Sequence, residues 1–213
     1  MLQNRVDPLG HLIRTEARGQ WMGNRGCIHD AHQQIVRPFR LKAWLICLLE
    51  FKGRKRNVMT EGQYTELFFL DEATAFAAGH RPCFECRRQD HIRFRRYWLK
   101  GNPGYGFTER TSIQQIDFIL HEERMDPRGS KITFKEKAAS LPDGTFILLD
   151  NVPFLLWKKR LYKWTSSGYE NGGGVADEQI MTLLTPRSTV NTFKAGYKPQ
   201  VHTSVAVPDS SEG

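Results

Sequence analysis

Residues 64–90 read YTELFFLDEATAFAAGHRPCFECRRQD, and this stretch indicates the fold and chemistry more clearly than any other part of the chain. Its apolar run at 67–70 predicts a short strand. An alanine-rich helix follows, with Asp71 placed to accept a hydrogen bond from the first turn and a glycine placed to end the helix. Cys83 and Cys86 come directly after that end. A CxxC turn lets two sulfurs bind one tetrahedral zinc ion, so the stretch predicts half of a metal site.

The same run resembles the metal-binding domain of the Ada family of DNA-repair proteins. The resemblance rests on residues 68–69 and 72–73 and on the segment AAGHRPCFECRR at 77–88, and it does not extend beyond 64–90. In that family a strand and a helix lead into AAGxRPCxxC, which supplies the second half of a four-ligand zinc site. The resemblance therefore implies a small zinc module in a protein that acts on DNA.

The first half of that family's site is an upstream CxxxC loop, in which one cysteine accepts a methyl group from a DNA phosphotriester. The corresponding loop here, GRKRNVMTEGQ at 53–63, contains no cysteine, so other residues must complete the site. Cys27 and His29 are the first candidates, because residues two apart in a strand point to the same side. Cys47 is the alternative, since it lies in the apolar run 41–51, which predicts a central strand.

Two alternatives to these assignments follow from the residue types. Cys27 and Cys47 each have a structural explanation as small buried side chains. A CxxC pair also occurs in redox proteins, where the first cysteine lies at a helix N-terminus that lowers its pKa. Here the pair follows the C-terminus of a predicted helix, which favours metal binding. Four protein ligands would make the metal structural, whereas an open position would admit water and allow hydrolysis.

Composition excludes several classes of protein. The chain has 213 residues and 39% hydrophobic content, enough to bury a core. No apolar run approaches a membrane span, and the N-terminus lacks the apolar segment of a signal peptide. Four cysteines are too few for a disulfide framework, so we expect a soluble cytoplasmic protein without membrane partners. A net charge of +8 and a pI of about 9.5 favour a polyanionic partner such as nucleic acid.

Arginine residues concentrate around the turn 83–86, here called the knuckle. A basic loop at 54–56 precedes it, and the segment RRQDHIRFRRYWLK at 87–100 predicts an amphipathic helix with one aromatic and one basic stripe. Solvated surface charge is the simpler explanation, but a cluster of this kind beside a knuckle favours phosphate contacts. We therefore expect nucleic acid, DNA rather than RNA, to contact Arg54, Arg56, Arg81, Arg87, Arg88, Arg93 and Arg96.

The remainder of the chain predicts a second, β-rich part. Glycine and proline at 101–106 indicate a boundary, and helices are expected at 111–125 and 188–196. Short apolar runs indicate strands at 146–149, 153–157, 161–164 and 180–184, with a mobile glycine-rich loop at 166–174. The expected class is α+β, with an Ada-like zinc-binding region at 1–105, an α+β C-terminal lobe at 106–203 and a disordered tail at 204–213.

Three classes of function fit this sequence. The leading expectation is a zinc protein that binds nucleic acid. The second is an enzyme acting on nucleic acid, through methyl transfer to a zinc-bound thiolate or through hydrolysis with His29, Asp30 or His80 near the metal. The third is a protein-interaction module with a structural zinc. The sequence contains no catalytic triad, phosphate-binding glycine loop or convincingly spaced pair of acid and base carboxylates.

Overall fold

The computed structural model describes residues 1–53 and 57–205, which form two six-stranded sheets and four α-helices. The N-terminal sheet contains β1 (Arg5–Val6), β2 (Leu12–Ile13), β3 (Trp21–Asn24), β4 (Leu45–Cys47), β5 (Leu67–Phe69) and β6 (Arg81–Pro82). The C-terminal sheet contains β7 (Phe134–Lys137), β8 (Phe146–Leu149), β9 (Val152–Trp157), β10 (Arg160–Thr165), β11 (Gly168–Gly174) and β12 (Ile180–Leu183). The helices are α1 (Glu72–Ala77), α2 (Arg88–Gly101), α3 (Ile113–Arg124) and α4 (Arg187–Lys194). The α+β class expected from the sequence is confirmed.

The two sheets differ in strand direction. The N-terminal sheet has the order β2-β1-β5-β3-β4-β6 and is mixed, because the pairs β1–β5 and β4–β6 are parallel while the other pairs are antiparallel. The C-terminal sheet has the order β11-β10-β9-β8-β12-β7 and is antiparallel throughout. The parallel pair β4–β6 at the end of the first sheet brings distant cysteines together.

Helix α1 is a short helix between the two sheets, and all six of its residues are buried. Ala75 and Phe76 pack in the core of the N-terminal sheet, whereas Ala73 and Ala77 pack with Phe146 and other side chains of the C-terminal sheet. Alanine suits this position because it has the highest helix propensity and its small side chain lets both layers approach closely. The alanine-rich composition of this segment is therefore explained by its contact with two cores.

Asp71 caps the N-terminus of α1 and binds the C-terminal half of the chain. Its carboxylate accepts hydrogen bonds from the backbone N–H of Thr74 at 2.8 Å and from the Thr74 hydroxyl at 2.7 Å. It also accepts one from the hydroxyl of Tyr169 in β11 at 2.8 Å and one from the backbone N–H of His202 at 2.9 Å. One buried side chain thus serves both as the expected helix cap and as a link between the sheets.

Glu72, the first residue of α1, makes a second set of links. Its carboxylate accepts hydrogen bonds from the guanidinium of Arg87 at 2.7 Å, the hydroxyl of Tyr197 at 3.0 Å and the backbone N–H of Gln200 at 2.9 Å. These contacts join α1 to the start of α2 and to the segment after α4. The core of the N-terminal sheet accordingly contains residues from both sides of the expected boundary at 105, including Trp98 of α2, Ile116 of α3 and Phe193 of α4.

Several expected elements differ from those in the structure. The run 41–51 forms a strand only at 45–47, next to the edge of its sheet, and Leu41 and Leu49 are exposed. The prediction of a loop at 166–174 is wrong, because Gly168–Gly174 form β11, which pairs along β10. Val205 of the expected tail is buried, while residues 206–213 of that tail lie outside the described residues. No helix among the described residues is long and apolar enough to cross a membrane.

Replacing Asp71 with alanine is expected to lower the free energy of unfolding by about 3 kcal/mol, because four donors lose their acceptor and several of them stay buried. Asp143→Ala is the control, since the exposed Asp143 accepts a hydrogen bond from the backbone N–H of Lys158 and should cost about 1 kcal/mol or less. Urea denaturation followed by circular dichroism measures both changes. Equal losses in the two variants would contradict a special role for Asp71.

Candidate metal centre

Three cysteines meet at the end of the parallel pair of strands in the N-terminal sheet. Cys47 is the last residue of β4, and Leu45 and Ile46 lie opposite Arg81 and Pro82 of β6. Continuing that register places Cys47 beside Cys83, whose backbone N–H donates a hydrogen bond to the carbonyl of Ile46 at 2.9 Å. The chain then turns through the knuckle, which returns Cys86 to the same place.

The geometry of the three sulfurs fits a tetrahedral metal ion. The Sγ atoms of Cys47, Cys83 and Cys86 all lie within 4.8 Å of one another, and all three are free thiols. In a tetrahedral zinc site with Zn–S bonds of about 2.3 Å, sulfurs lie about 3.8 Å apart. Small shifts of side chains therefore suffice to make these three cysteines the ligands of one ion. Cys47 and Cys83 are buried and Cys86 is half-buried, so the cluster borders the surface.

The surroundings of Cys83 stabilise the thiolate form that a metal requires. Thiol hydrogen bonds from Cys47 and Cys86, and then backbone N–H groups of Cys86 and Glu85, lower the pKa of Cys83. The same contact with Cys83 raises the pKa of Cys47, so the first proton leaves Cys83. Hydrogen bonds from N–H groups to sulfur orient ligand thiolates and support their charge. The knuckle is thus prepared to hold one negative charge before any ion binds.

The knuckle also lies at the start of a helix. Helix α2 begins at Arg88 and runs for 14 residues, so its positive N-terminal end lies close to Cys86. The expectation that the pair only follows a helix C-terminus is therefore incomplete. A helix N-terminus favours thiolates in metal sites and in redox pairs alike, and so it does not separate the two roles. The third sulfur, from Cys47, is what favours a metal site, because a redox pair needs only two.

A small cavity opens beside the three sulfurs. Its volume is about 130 Å³, and Cys47, Cys83 and Cys86 lie in its wall together with Tyr64 and Glu85. Within the ranges 1–53 and 57–205, no fourth cysteine, histidine, aspartate or glutamate joins the cluster. Residues 54–56 are Arg-Lys-Arg and include none of these residue types. The cavity leaves room for water or another molecule beside the three sulfurs.

Cys27 and His29 lie outside the cluster, so the structure favours the alternative ligand Cys47. Gly26 turns the chain with a φ of +92°, and Cys27 lies in a bend and not in the expected strand. His29 contacts the hydroxyl of Thr65 through Nδ1 at 2.6 Å and the carbonyl of Thr60 through Nε2 at 3.2 Å. Both ring nitrogens are thus used in holding a loop.

The residues proposed for hydrolysis are not beside the sulfurs either. Asp30 accepts hydrogen bonds from the backbone N–H groups of His32 and Gln34 in its own turn, both at 2.9 Å. His80 is buried against the rings of Trp44 and Phe69. Neither side chain, nor that of His29, lies in the wall of the cavity. Glu85 is the carboxylate that does lie there, and the sequence reasoning missed it although it is part of the CxxC turn.

The arginines expected to contact nucleic acid divide into three groups. Arg81 is buried in a bidentate ion pair with Asp117, with both distances 2.6 Å, and Arg87 is buried against Glu72 and Asp90. These two hold the fold together and are not available at the surface. Arg54 and Arg56 lie outside the described residues. The exposed members of the set are Arg88, Arg93 and Arg96, all on α2.

The exposed arginines alternate with exposed apolar residues that the sequence analysis overlooked. Phe84 of the knuckle is 52% exposed and Ile92 of α2 is 49% exposed. Arg88, Ile92 and Arg96 are spaced four apart in α2, which puts them on one face of the helix, and Phe84 precedes them in the turn of the knuckle. The guanidinium of Arg88 lies 4.7 Å from the centre of the Phe84 ring. We call these four residues the α2 strip, and their spacing was the signal that could have identified it.

No protein-family model matches this chain, and neither a curated protein nor a solved structure is similar to it. The resemblance to the Ada metal-binding domain therefore stays a prediction. The assignment of the three-cysteine cluster as a candidate metal site is supported by the geometry of its sulfur atoms.

Replacing Cys47 with serine is expected to abolish stoichiometric zinc binding, because two remaining sulfurs hold the ion far more weakly than three. Cys27→Ser is the matched control and should keep its zinc. Elemental analysis of the purified variants measures the metal, and the thiolate absorption of the Co²⁺-substituted protein counts sulfur ligands. Loss of zinc in Cys27→Ser with retention in Cys47→Ser would contradict this assignment.

Arg81→Met is expected to lower the free energy of unfolding by about 3–5 kcal/mol, because it leaves the buried carboxylate of Asp117 without its partner. Arg96→Met is the control, since Arg96 is exposed, and a change there should stay within about 0.5 kcal/mol. Chemical denaturation of both variants gives the comparison. An Arg81→Met variant as stable as Arg96→Met would contradict the structural role of the Arg81–Asp117 ion pair.

Proposed function

We propose that this chain is a zinc-binding protein that binds nucleic acid along the α2 strip. The observation that carries the metal part is the convergence of Cys47, Cys83 and Cys86 within 4.8 Å. Three thiolates form a soft ligand set, for which zinc is the usual divalent ion in proteins. Zinc bound there would join β4 to the knuckle and so hold the start of α2 against the sheet.

The proposed interface follows directly from the position of the metal site. Phe84 lies between the two knuckle cysteines, with Arg88 in contact with its ring, and Arg96 is exposed two turns further along α2. An exposed aromatic ring stacks on an unpaired base, and arginines at its side bind the phosphates that connect neighbouring bases. The net charge of +8 adds a general attraction for polyanions. A single-stranded segment fits this arrangement better than a duplex, because a stacked ring requires an accessible base face.

A second candidate function is supported by the cavity beside the sulfurs. Glu85 is a residue of its wall together with the three cysteines, and a glutamate near an open zinc position would serve as a general base toward water. The protein would then cleave the nucleic acid that it binds. Binding without cleavage favours the first candidate, whereas zinc-dependent cleavage that is lost in Glu85→Gln favours the second.

Replacing Arg88 and Arg96 together with glutamine is expected to weaken binding of a labelled single-stranded oligonucleotide. The slope of log K against log salt should become shallower by about 1.4, because two phosphate contacts are lost at about 0.7 each. Fluorescence anisotropy over a range of salt concentrations measures both quantities, and gel analysis of the same samples detects any cleavage.

The matched control removes two positive charges elsewhere, with Lys158→Gln and Lys159→Gln in the exposed turn between β9 and β10. This control should change affinity little and leave the salt slope as it is. Two results would reject the proposed interface: an equal loss in both double variants, or no binding by the unmodified protein at low salt. The second result would favour the protein-interaction alternative.

A further inference from the structure

A second, larger cavity lies between the N-terminal segment and the turn that follows α3. Its volume is about 440 Å³, which is in the range of small-molecule sites. Its wall contains the basic side chains of Arg25, Arg124 and Lys131, and the exposed Arg37 lies at its rim. We call it the cationic pocket. Cys47, Cys83 and Cys86 are not among its wall residues, so it is separate from the candidate metal centre.

The basic groups of the cationic pocket are bound only to neutral acceptors. Arg25 donates to the carbonyl of Gly10 at 3.0 Å and to Nε2 of His80 at 3.3 Å. Arg124 donates to the carbonyl of Gly79 at 2.8 Å, and Lys131 donates to a backbone carbonyl at the end of α1. In the part of the chain that the structure describes, none of the three forms an ion pair with a carboxylate.

Arg124 is the strongest indication that a ligand is required. Its side chain is buried, with 2% of its surface exposed, and its Nε–H has no hydrogen-bond partner among the residues that the structure describes. A buried cation with an unsatisfied donor is costly, and an anion bound in the pocket would supply the missing acceptor. The Arg124 side chain packs directly against the backbone of Gly79. Only glycine allows this contact, because Gly79 has a φ of +86° and a Cβ there would lie 2.6 Å from Cδ of Arg124.

Trp44 holds the two guanidinium groups in place. The guanidinium carbon of Arg25 lies 3.8 Å from the centre of the indole ring, and that of Arg124 lies 3.9 Å from it. Contact with an aromatic face stabilises a cation without neutralising its charge. Trp44 therefore keeps the two groups in a fixed arrangement, which preorganises them for an anion.

Electrostatics within the pocket leave an excess of positive charge. Burial, followed by the neighbouring arginines, lowers the pKa of Lys131 to about 7, and burial lowers that of Arg25 to about 9. Burial and the charges of Arg25 and Arg124 also keep His80 neutral by lowering its pKa. Asp7 opposes these effects on Arg25 and Lys131. The basic side chains of the wall outnumber the carboxylates that act on them, so the pocket keeps an excess of positive charge.

We propose that the cationic pocket binds the phosphate group of a small phosphate monoester. A phosphate monoester carries up to two negative charges at neutral pH and several strong acceptor oxygens, which match the excess charge and the available donors. The cavity is larger than a phosphate group, and Leu9, Leu12 and Ile35 in its wall provide an apolar surface for the organic part. This site is independent of the zinc and nucleic-acid proposal above.

Phenyl phosphate is a suitable probe, because it combines a phosphate monoester with a small apolar body. Isothermal titration calorimetry of the full chain should show saturable binding of this probe, with weaker binding of inorganic phosphate and of benzoate. Lys131→Gln should weaken binding of phenyl phosphate about tenfold through loss of a charged hydrogen bond. Arg37→Gln should weaken it about threefold, because Arg37 is exposed at the rim of the pocket.

The controls separate this site from other basic surfaces and from folding. Arg128→Gln removes an exposed charge from the turn that follows α3, between Arg124 and Lys131. Arg128 lines a neighbouring cavity, so this variant should leave the affinity for phenyl phosphate unchanged. Arg37→Gln keeps the test decisive if Lys131→Gln does not fold. Cys47→Ser should bind the probe normally if it folds, so failure of the metal proposal leaves this one standing.

One further arm identifies the source of the phosphate. A 5′-phosphorylated oligonucleotide that competes with phenyl phosphate, while its 5′-hydroxyl counterpart does not, would mean that the pocket receives a nucleic-acid end. Competition by neither, with phenyl phosphate still bound, supports a small metabolite. The proposal is overturned if phenyl phosphate shows no saturable binding up to about 10 mM, or if Lys131→Gln and Arg37→Gln both retain full affinity.

Discussion

Asp71 and Glu72 are buried carboxylates at the first turn of α1, and together they accept hydrogen bonds from Tyr169, Tyr197, Gln200 and His202 of the C-terminal half. A buried carboxylate is tolerated only where donors replace water, and here the donors come from segments more than ninety residues away in the chain. The two sheets, α2 and the C-terminal segment are therefore all joined to the N-terminal end of α1. Because the knuckle follows α1 closely in the chain, the position of α1 sets the position of the knuckle.

The candidate metal centre depends on that placement. Helix α1 ends at Ala77, Gly79 reverses the chain, and β6 then pairs in parallel with β4, so that the knuckle begins beside Cys47. A parallel pair needs a long connection between its strands, and here it includes β5 and α1. Two cysteines close in sequence and one distant cysteine thus become three neighbours through strand register.

The positive charge of the chain serves several different purposes. Arg81 and Arg87 are neutralised by buried carboxylates and stabilise the fold, whereas Arg88 and Arg96 remain exposed on α2. Arg25 and Arg124 belong to a third group, buried against Trp44 and without an ion pair to any carboxylate within residues 1–53 and 57–205. A sequence-level count of basic residues does not separate these groups, because their environments are set by residues such as Asp117, which is 36 positions from Arg81.

Local chemistry was readable from the sequence alone. The cap at Asp71, the end of α1 at Gly79, the CxxC turn, the α2 helix and the α+β class follow from short-range patterns, in which neighbouring residues determine the outcome. The tertiary structure decided which cysteine joins Cys83 and Cys86, which arginines are buried, and that three distant basic residues share one pocket. Those outcomes depend on strand register and on packing between segments far apart in the chain, where a single sequence contains no direct signal.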